Sequence, residues 1–439
     1  MVFVRLPEVI MMFLLTGSPT GNDLLALADP AGYFASRQIE VSIDRMAALA
    51  GEEPKDAKAQ VRQLLALRYL AEHPEKMKKA EGYARHRRLI EEVAVGERAQ
   101  DRLGFAKEYA ERVLAVLDRK APAVPEAGKL RDEALAWFPA GASFVGAIDA
   151  RMTRGGPAPG FDASALLKKL PAEEQGRFYE LIEKTGNARI DRIAFAYVHD
   201  DDPKKAKIFV RLTGKANSAW LISALRNLGP DMEESEVKDS RDEKIKVLQR
   251  PNQPPALLFF GDTDMMMIGF QRDRKNQLDL VDEVLAVRER KNPKPNAASG
   301  ALKEHLKKVP DKAVAFVVGV LPEDLAREFK QTLGAAPRKI TAYAEKIPTG
   351  FDISAVGQMA SGEDAQTAVM QLSKLRKEGI DQLQKFLQMP EAAPRGMPVN
   401  GLINVLSTLQ MQSEDMEVRL RVVVPRDVLM SVPSWILGQ

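Results

Sequence analysis

The feature that most constrains this chain is a change of period. Up to about residue 120 the apolar residues recur at helical spacing, and beyond residue 137 they recur largely at strand spacing. In residues 57–70, Val61, Leu64, Leu65 and Tyr69 share one side of a helix, with Pro54 before it and Pro74 after it. Residues 102–118 repeat the pattern with Leu103, Ala106, Ala110, Val113 and Leu117. Ile39, Val41 and Ile43 alternate briefly, but Met46 and Leu49 carry that stretch on as helix. Residues 61–70 have the form of one helix of a HEAT-type hairpin. No second copy follows at a fixed period, so a small helical bundle is expected.

A Pro/Ala-rich linker at 120–128 marks the change. Strands are predicted at 143–150, 192–198, 207–212, 256–260, 265–270, 314–320, 351–356 and 418–424. Ile208, Val210 and Leu212 alternate with their neighbours, which predicts a sheet covered on one side only and favours antiparallel pairing. Helices are predicted at 165–184, interrupted by Pro171, at 218–228 and at 277–288. Two more are predicted: one opened by Pro322-Glu323-Asp324 that buries Leu325, Phe329 and Leu333, and one through Met370, Leu372 and Leu375. A second polar linker spans 288–300. In 418–424, Val418, Leu420, Val422 and Val424 are predicted to face the core, and Arg419 and Arg421, with Glu417, the solvent or a partner.

The fold class expected is therefore α+β. An all-helical N-terminal domain (22–120) follows a signal-like leader (1–21) and precedes two modules, 136–290 and 310–437. Each module is expected to carry a mainly antiparallel sheet covered by helices on one face. Residues 208–228 and 353–375 share one grammar: a strand, then Thr213-Gly214-Lys215 or Ser361-Gly362-Glu363, then a helix. That suggests a diverged duplication; the generic frequency of strand–helix units stands as the alternative.

Composition limits the chemistry. With 64 basic and 61 acidic side chains and a net charge of +3, no global field steers nucleic acid or anionic membrane to the surface. The absence of cysteine excludes disulfides, thiolate catalysis and Cys-ligated metal. No apolar run reaches the roughly 20 residues of a membrane span. Arg5 and the apolar run 9–15 resemble a secretory leader but lack a small-residue cleavage site, so exported and cytoplasmic locations both stay open.

No motif assigns a catalytic residue, a cofactor or a metal. No two of the four histidines stand within four residues of each other. His199 with Asp200, Asp201 and Asp202 reads as a hairpin loop, and Asp262 and Asp264 as a second turn. Met265, Met266 and Met267 read as core, since three residues in a row on a strand cannot face one site. The glycine-rich stretch 155–160 contains prolines and lacks the Lys-Ser/Thr of a phosphate loop. The one charged run of note holds Lys76, Lys78 and Lys79, then Arg85, Arg87 and Arg88, as candidates for an anionic partner. Glu75, Glu81, Glu91 and Glu92 lie among or beside them, as on a solvated helix face.

The function expected is that of a non-catalytic binding or structural protein with no cofactor, its partner a protein or cell-envelope component rather than nucleic acid. The alternative is a hydrolase-type enzyme using dispersed carboxylates. The run from Trp137 to Gly146, a strand after an aromatic-Pro turn, resembles the start of strand–helix modules in uncharacterised exported bacterial proteins of planctomycete-like genomes. The helical stretch 64–70 is similar to N-terminal segments of the same proteins. That resemblance implies no activity and assigns no residue a role.

Overall fold

The structure is a computed structural model, and it describes residues 24–96, 103–120, 130–153, 171–200, 206–228, 231–238, 243–250, 253–270, 277–288, 295–297, 300–321, 323–388, 398–425 and 428. The leader, the glycine-rich stretch 155–160, Asp201 and Asp202 lie outside these residues, as do most of both linkers.

Helices come first. After a short 3-10 turn at Leu24–Leu27 follow α1 (Pro30–Ser36), α2 (Ile43–Gly51), α3 (Ala57–Glu72), α4 (Pro74–Lys79), α5 (Tyr83–Val95) and α6 (Phe105–Leu117). Asp29, Ser42 and Asp56 each accept a backbone N–H at the start of α1, α2 and α3, which satisfies donors the helix itself leaves orphaned. The centre is α3: Val61, Leu64, Leu65, Leu67 and Leu70 are fully buried, and with Gln60, Gln63 and Arg68 also buried the helix is enclosed nearly all round and the others wrap it.

The remaining elements are α7 (Leu130–Leu135), β1 (Phe144–Asp149), α8 (Ala172–Thr185), β2 (Ala188–Val198), β3 (Lys207–Ala216), α9 (Ser218–Leu228), β4 (Glu233–Lys238), β5 (Lys244–Arg250), β6 (Gln253–Phe260), β7 (Asp264–Phe270) and α10 (Gln277–Val287). Then come α11 (Lys303–Leu306), β8 (Ala313–Val320), α12 (Glu323–Leu333), β9 (Lys339–Ile347), β10 (Gly350–Gln358), α13 (Gly362–Gln388), α14 (Val399–Thr408), β11 (Gln410–Glu414) and β12 (Glu417–Pro425). The protein is α+β, with a large antiparallel sheet.

Where separate sheets were expected, the strands of the described residues join one 12-stranded sheet in the order β11-β12-β10-β9-β8-β1-β2-β3-β7-β6-β5-β4. The join is the antiparallel pair β1/β8, with Gly146 opposite Val317. Outward from that seam each half reads alike: a strand, a helix, a hairpin, a helix, and a later strand that returns to pair with the third. One register row makes the match explicit. It runs Gly146–Phe195–Val210–Met267 on one side and Val317–Ala342–Ala355–Leu420 on the other.

Cover by helices on one face only also needs correction for the first half. One face of β1–β3 and β5–β6 packs under α7, α10, α11 and Phe138; the opposite face of β5–β7 packs under α9. Both faces are apolar there, so both are covered where a helix reaches. The face carrying Phe209, fully buried, is the deeper one, while Ile208, on the opposite face, is 41% exposed. The alternation seen in 207–212 is real, but it does not mark a wet and a dry side.

The helices at the start of the chain are tied to the sheet and to α8 by ion pairs. Glu108 of α6 pairs with Arg189 of β2 and, at 2.6 Å, with Lys215 of β3. Glu183 of α8 receives Arg37, the Tyr33 hydroxyl at 2.8 Å, and Lys58. Burial pushes each carboxyl up, but the cationic partners outweigh it and leave both Glu108 and Glu183 below their ordinary value of 4.5. Burial and the Glu183 carboxylate push the Tyr33 phenol up, and burial raises Tyr179 to about 12. A folded-state pKa that is depressed contributes stability above the unfolded pKa, and that stability is lost as pH falls through the folded value. Stability is therefore expected to fall below about pH 4.5. Urea midpoints of the wild type and of Glu108→Gln should converge as pH drops from 7 to 3. Parallel curves would show that Glu108 gains nothing from its two cations.

Candidate binding face

Three features of the central strands make a site of the face opposite Phe209. The first is exposure. Ile148 on β1 and Ile208 on β3 are 40% and 41% exposed, and Phe144, Phe195, Tyr197 and Val210 are partly exposed beside them. The second is small residues set under rings. A Cβ added to Gly146 would lie 2.5 Å from the Phe195 ring, and one added to Gly319 would lie 2.5 Å from the Phe144 ring. Glycine at both positions lets the two rings lie down on the sheet instead of standing away from it. The third is composition: across β1, β2, β3 and β8 this face offers hydrocarbon and one phenol.

The helices on this face stand to either side of that floor. α9 packs on β5, β6 and β7 through Ile222, and α13 packs on β12 through Ala365 and Ala368. Between them lie β10, β9, β8, β1, β2 and β3, six strands at about 4.8 Å spacing. Leu375 of α13 is 41% exposed. Of the apolar stripe of α12, Phe329 and Leu333 are partly exposed.

The residues singled out from sequence fall elsewhere. Lys76, Lys78 and Lys79 lie on α4, and Arg85, Arg87 and Arg88 on α5. Lys78 pairs with Glu75, Arg88 with Glu92, and Arg87 with both Glu91 and Asp118, while Lys76, Lys79 and Arg85 are exposed. Asp262 stands in the β6–β7 turn and Asp264 opens β7, with separate tasks. Asp262 accepts the Ser218 N–H and hydroxyl at the start of α9, and Asp264 holds Arg211 at 2.9 Å. Burial pushes the Arg211 guanidinium down despite that pair. His199 follows the end of β2, and its N–H donates to the Ser143 hydroxyl. Among the described residues no group of three His, Asp or Glu is placed to hold a metal ion.

The aromatic turn that opens the run 137–146 is structural. Phe138 is fully buried, and Trp137 lies between the Arg211 and Arg288 guanidinium groups, each 3.9 Å from its ring centre. Ala297 donates to the Phe138 carbonyl, so this turn clips the second linker to the sheet.

Sequence reasoning missed the floor. A signal was there: Phe144-Val145, Phe195-Ala196-Tyr197 and Ile208-Phe209-Val210 are apolar on both sides of an antiparallel strand, more than a one-sided core requires.

No protein-family description matches the chain, and no curated protein matches it. Among solved structures the chain is similar to crystal form I of TP0453, with 11% identity and a TM-score of 0.32 over 70% of this chain and 98% of that one.

Proposed function

We propose that this is a non-catalytic binding protein whose site is the central apolar floor, and that its ligand presents a hydrocarbon body. The observation that carries this reading is the pair of flattened rings over Gly146 and Gly319 beside the exposed Ile148 and Ile208. An extended peptide would bring backbone N–H and C=O groups to a surface with almost nothing to receive them, at a cost of several kcal/mol (~2–7 per group). A hydrocarbon chain loses nothing there and removes apolar area from water on both sides.

The rival hydrolase reading needs a carboxylate free to move a proton. Asp149, 2% exposed, is held by Arg151 at 2.5 Å and by Arg192, while Asp264 and Glu183 are held by arginines as described. Acids engaged in ion pairs of this kind suit anchoring better than acid–base work, and for Glu183 the partners hold the carboxyl below its ordinary value. The near-neutral charge of the chain supports a protein or cell-envelope source for the ligand over nucleic acid.

The finer organisation belongs to the same proposal. Residues 22–120 form a helical domain, and 136–290 and 310–437 are diverged copies of one module. Ile208 and Ile353 then occupy equivalent places, each two residues before a member of the register row through Val210 and Ala355. The floor straddles the seam between the copies.

A neutral naphthylamine probe tests the site. Its fluorescence should rise on native protein, and Ile208→Glu should lower its affinity about tenfold or more with little change in melting temperature, since Ile208 is 41% exposed. Absence of probe binding, or unchanged binding to Ile208→Glu, would remove the floor as the site.

A further inference from the structure

The sheet has two edges, and they differ. At β4, Glu233, Glu234 and Glu236 line up, with Glu234 and Glu236 drawn to Lys246 and Lys244, and such charge protects an edge from pairing. At β11 the sequence is Gln410-Met411-Gln412-Ser413-Glu414, with no lysine or proline and no break in its register with β12. Four of these five residues are exposed.

The hairpin fixes which backbone groups β11 presents. Asp415 and Met416 form a two-residue turn, with Asp415 at φ 51°. In such a hairpin the flanking pair, Glu414 and Glu417, exchanges both hydrogen bonds, and the pattern alternates from there. Gln412 and Gln410 therefore bond inward to Arg419 and Arg421, and Met411 and Ser413 turn their N–H and C=O groups outward.

From this edge we infer that two copies of the chain pair antiparallel through β11 about a two-fold axis at Gln412, making one sheet across the dimer. That register sets Met411 opposite Ser413 of the second copy twice, so every outward group of the pair finds a partner in four hydrogen bonds. Gln410 then meets Glu414, and Gln412 meets itself, with no like charges opposed.

The helix above the edge agrees. α13 begins over the hairpin tip, where a Cβ on Gly362 would lie 3.1 Å from the Asp415 carbonyl oxygen. It packs on β11 and β12 and runs back from the tip. Eight helical residues rise about 12 Å and three strand residues about 10 Å, so Met370 stands nearly level with Gln412. Met370 is 62% exposed although its helix neighbours Ala368 and Ala365 are buried. An axis at this level brings the two Met370 side chains together. Residues equally far on either side then face each other between antiparallel helices, Glu363 with Lys377 and Gln366 with Lys374, so the charges are complementary.

Because the chain has no cysteine, single cysteines report the register directly. Gln412→Cys should form an oxidised dimer, since directly opposed residues lie within the Cα separation a disulfide spans. Gln410→Cys, equally exposed, should not, because it faces Glu414. Sedimentation equilibrium of the full chain should give twice 48.5 kDa in the micromolar range. Met370→Glu, which sets two carboxylates together on the axis without disturbing the monomer's core, should weaken the dimer about tenfold or more. A monomer across that range would overturn the inference. So would a dimer that fails to cross-link at position 412, or one indifferent to Met370→Glu.

Discussion

Replacing Phe209 with Ala is expected to lower the stability of the sheet by about 3–5 kcal/mol, the range for emptying a fully enclosed aromatic position. Phe209 is fully buried and meets Phe138 at a ring distance of 6.4 Å, with Ala196 beside it on β2 and the buried Leu130, Leu135, Val281 and Val284 of α7 and α10 in the same core. Replacing its neighbour Ile208 with Ala should cost about 1 kcal/mol or less, because that side chain already spends two-fifths of its surface in water. Guanidinium denaturation at pH 7 reads both. The contrast matters because both side chains are large and apolar and only the side of the strand differs. Equal losses would mean that the Ile208 face is as closed as the Phe209 face, and the floor would no longer be a surface open to a ligand.

The local elements were legible where one period dominated. Helices around Leu64, Val113 and Leu225 follow from apolar spacing, and the strand at Val418 from the alternation of apolar and charged residues over 417–422. What was not legible has two physical causes. β4 and β11 are edge strands with polar side chains, β9 carries Ala342 and Ala344 where a strand usually carries branched residues, and so none of them announces itself. The second cause is that pairing between distant strands leaves no local mark. Nothing in residues 144–149 or 313–320 states that β1 and β8 will meet, yet that pairing makes one sheet of two halves and sets Phe144 over Gly319. The candidate site was hidden for the same reason: its rings and glycines come from three strands, and Gly319 lies more than 100 residues from the ring it sits under.

The alternation of Val418 and Arg419 on β12 yields the other large effect. Val418 is 6% exposed and packs with Ala365 and Ala368 of α13, while Arg419, next in the chain, has half its side chain in water and pairs with Glu414 and Glu417. Val418→Asp would set a carboxylate among methyl groups with no cation to meet it. The chain must then protonate it or open the α13 contact, and a loss of about 3 kcal/mol or more is expected. Arg419→Asp leaves that contact intact and removes only solvent-facing pairs, so its denaturation midpoint should stay close to that of the wild type. The two variants carry the same new side chain one residue apart, and Arg419→Asp makes the larger change of charge beside Glu414 and Glu417, so a smaller loss at 419 than at 418 reports facing rather than charge. Similar midpoints for the two would show that β12 does not present its valines to α13. In that case the level of Met370 over Gln412, which depends on how α13 sits on this hairpin, would fall with it.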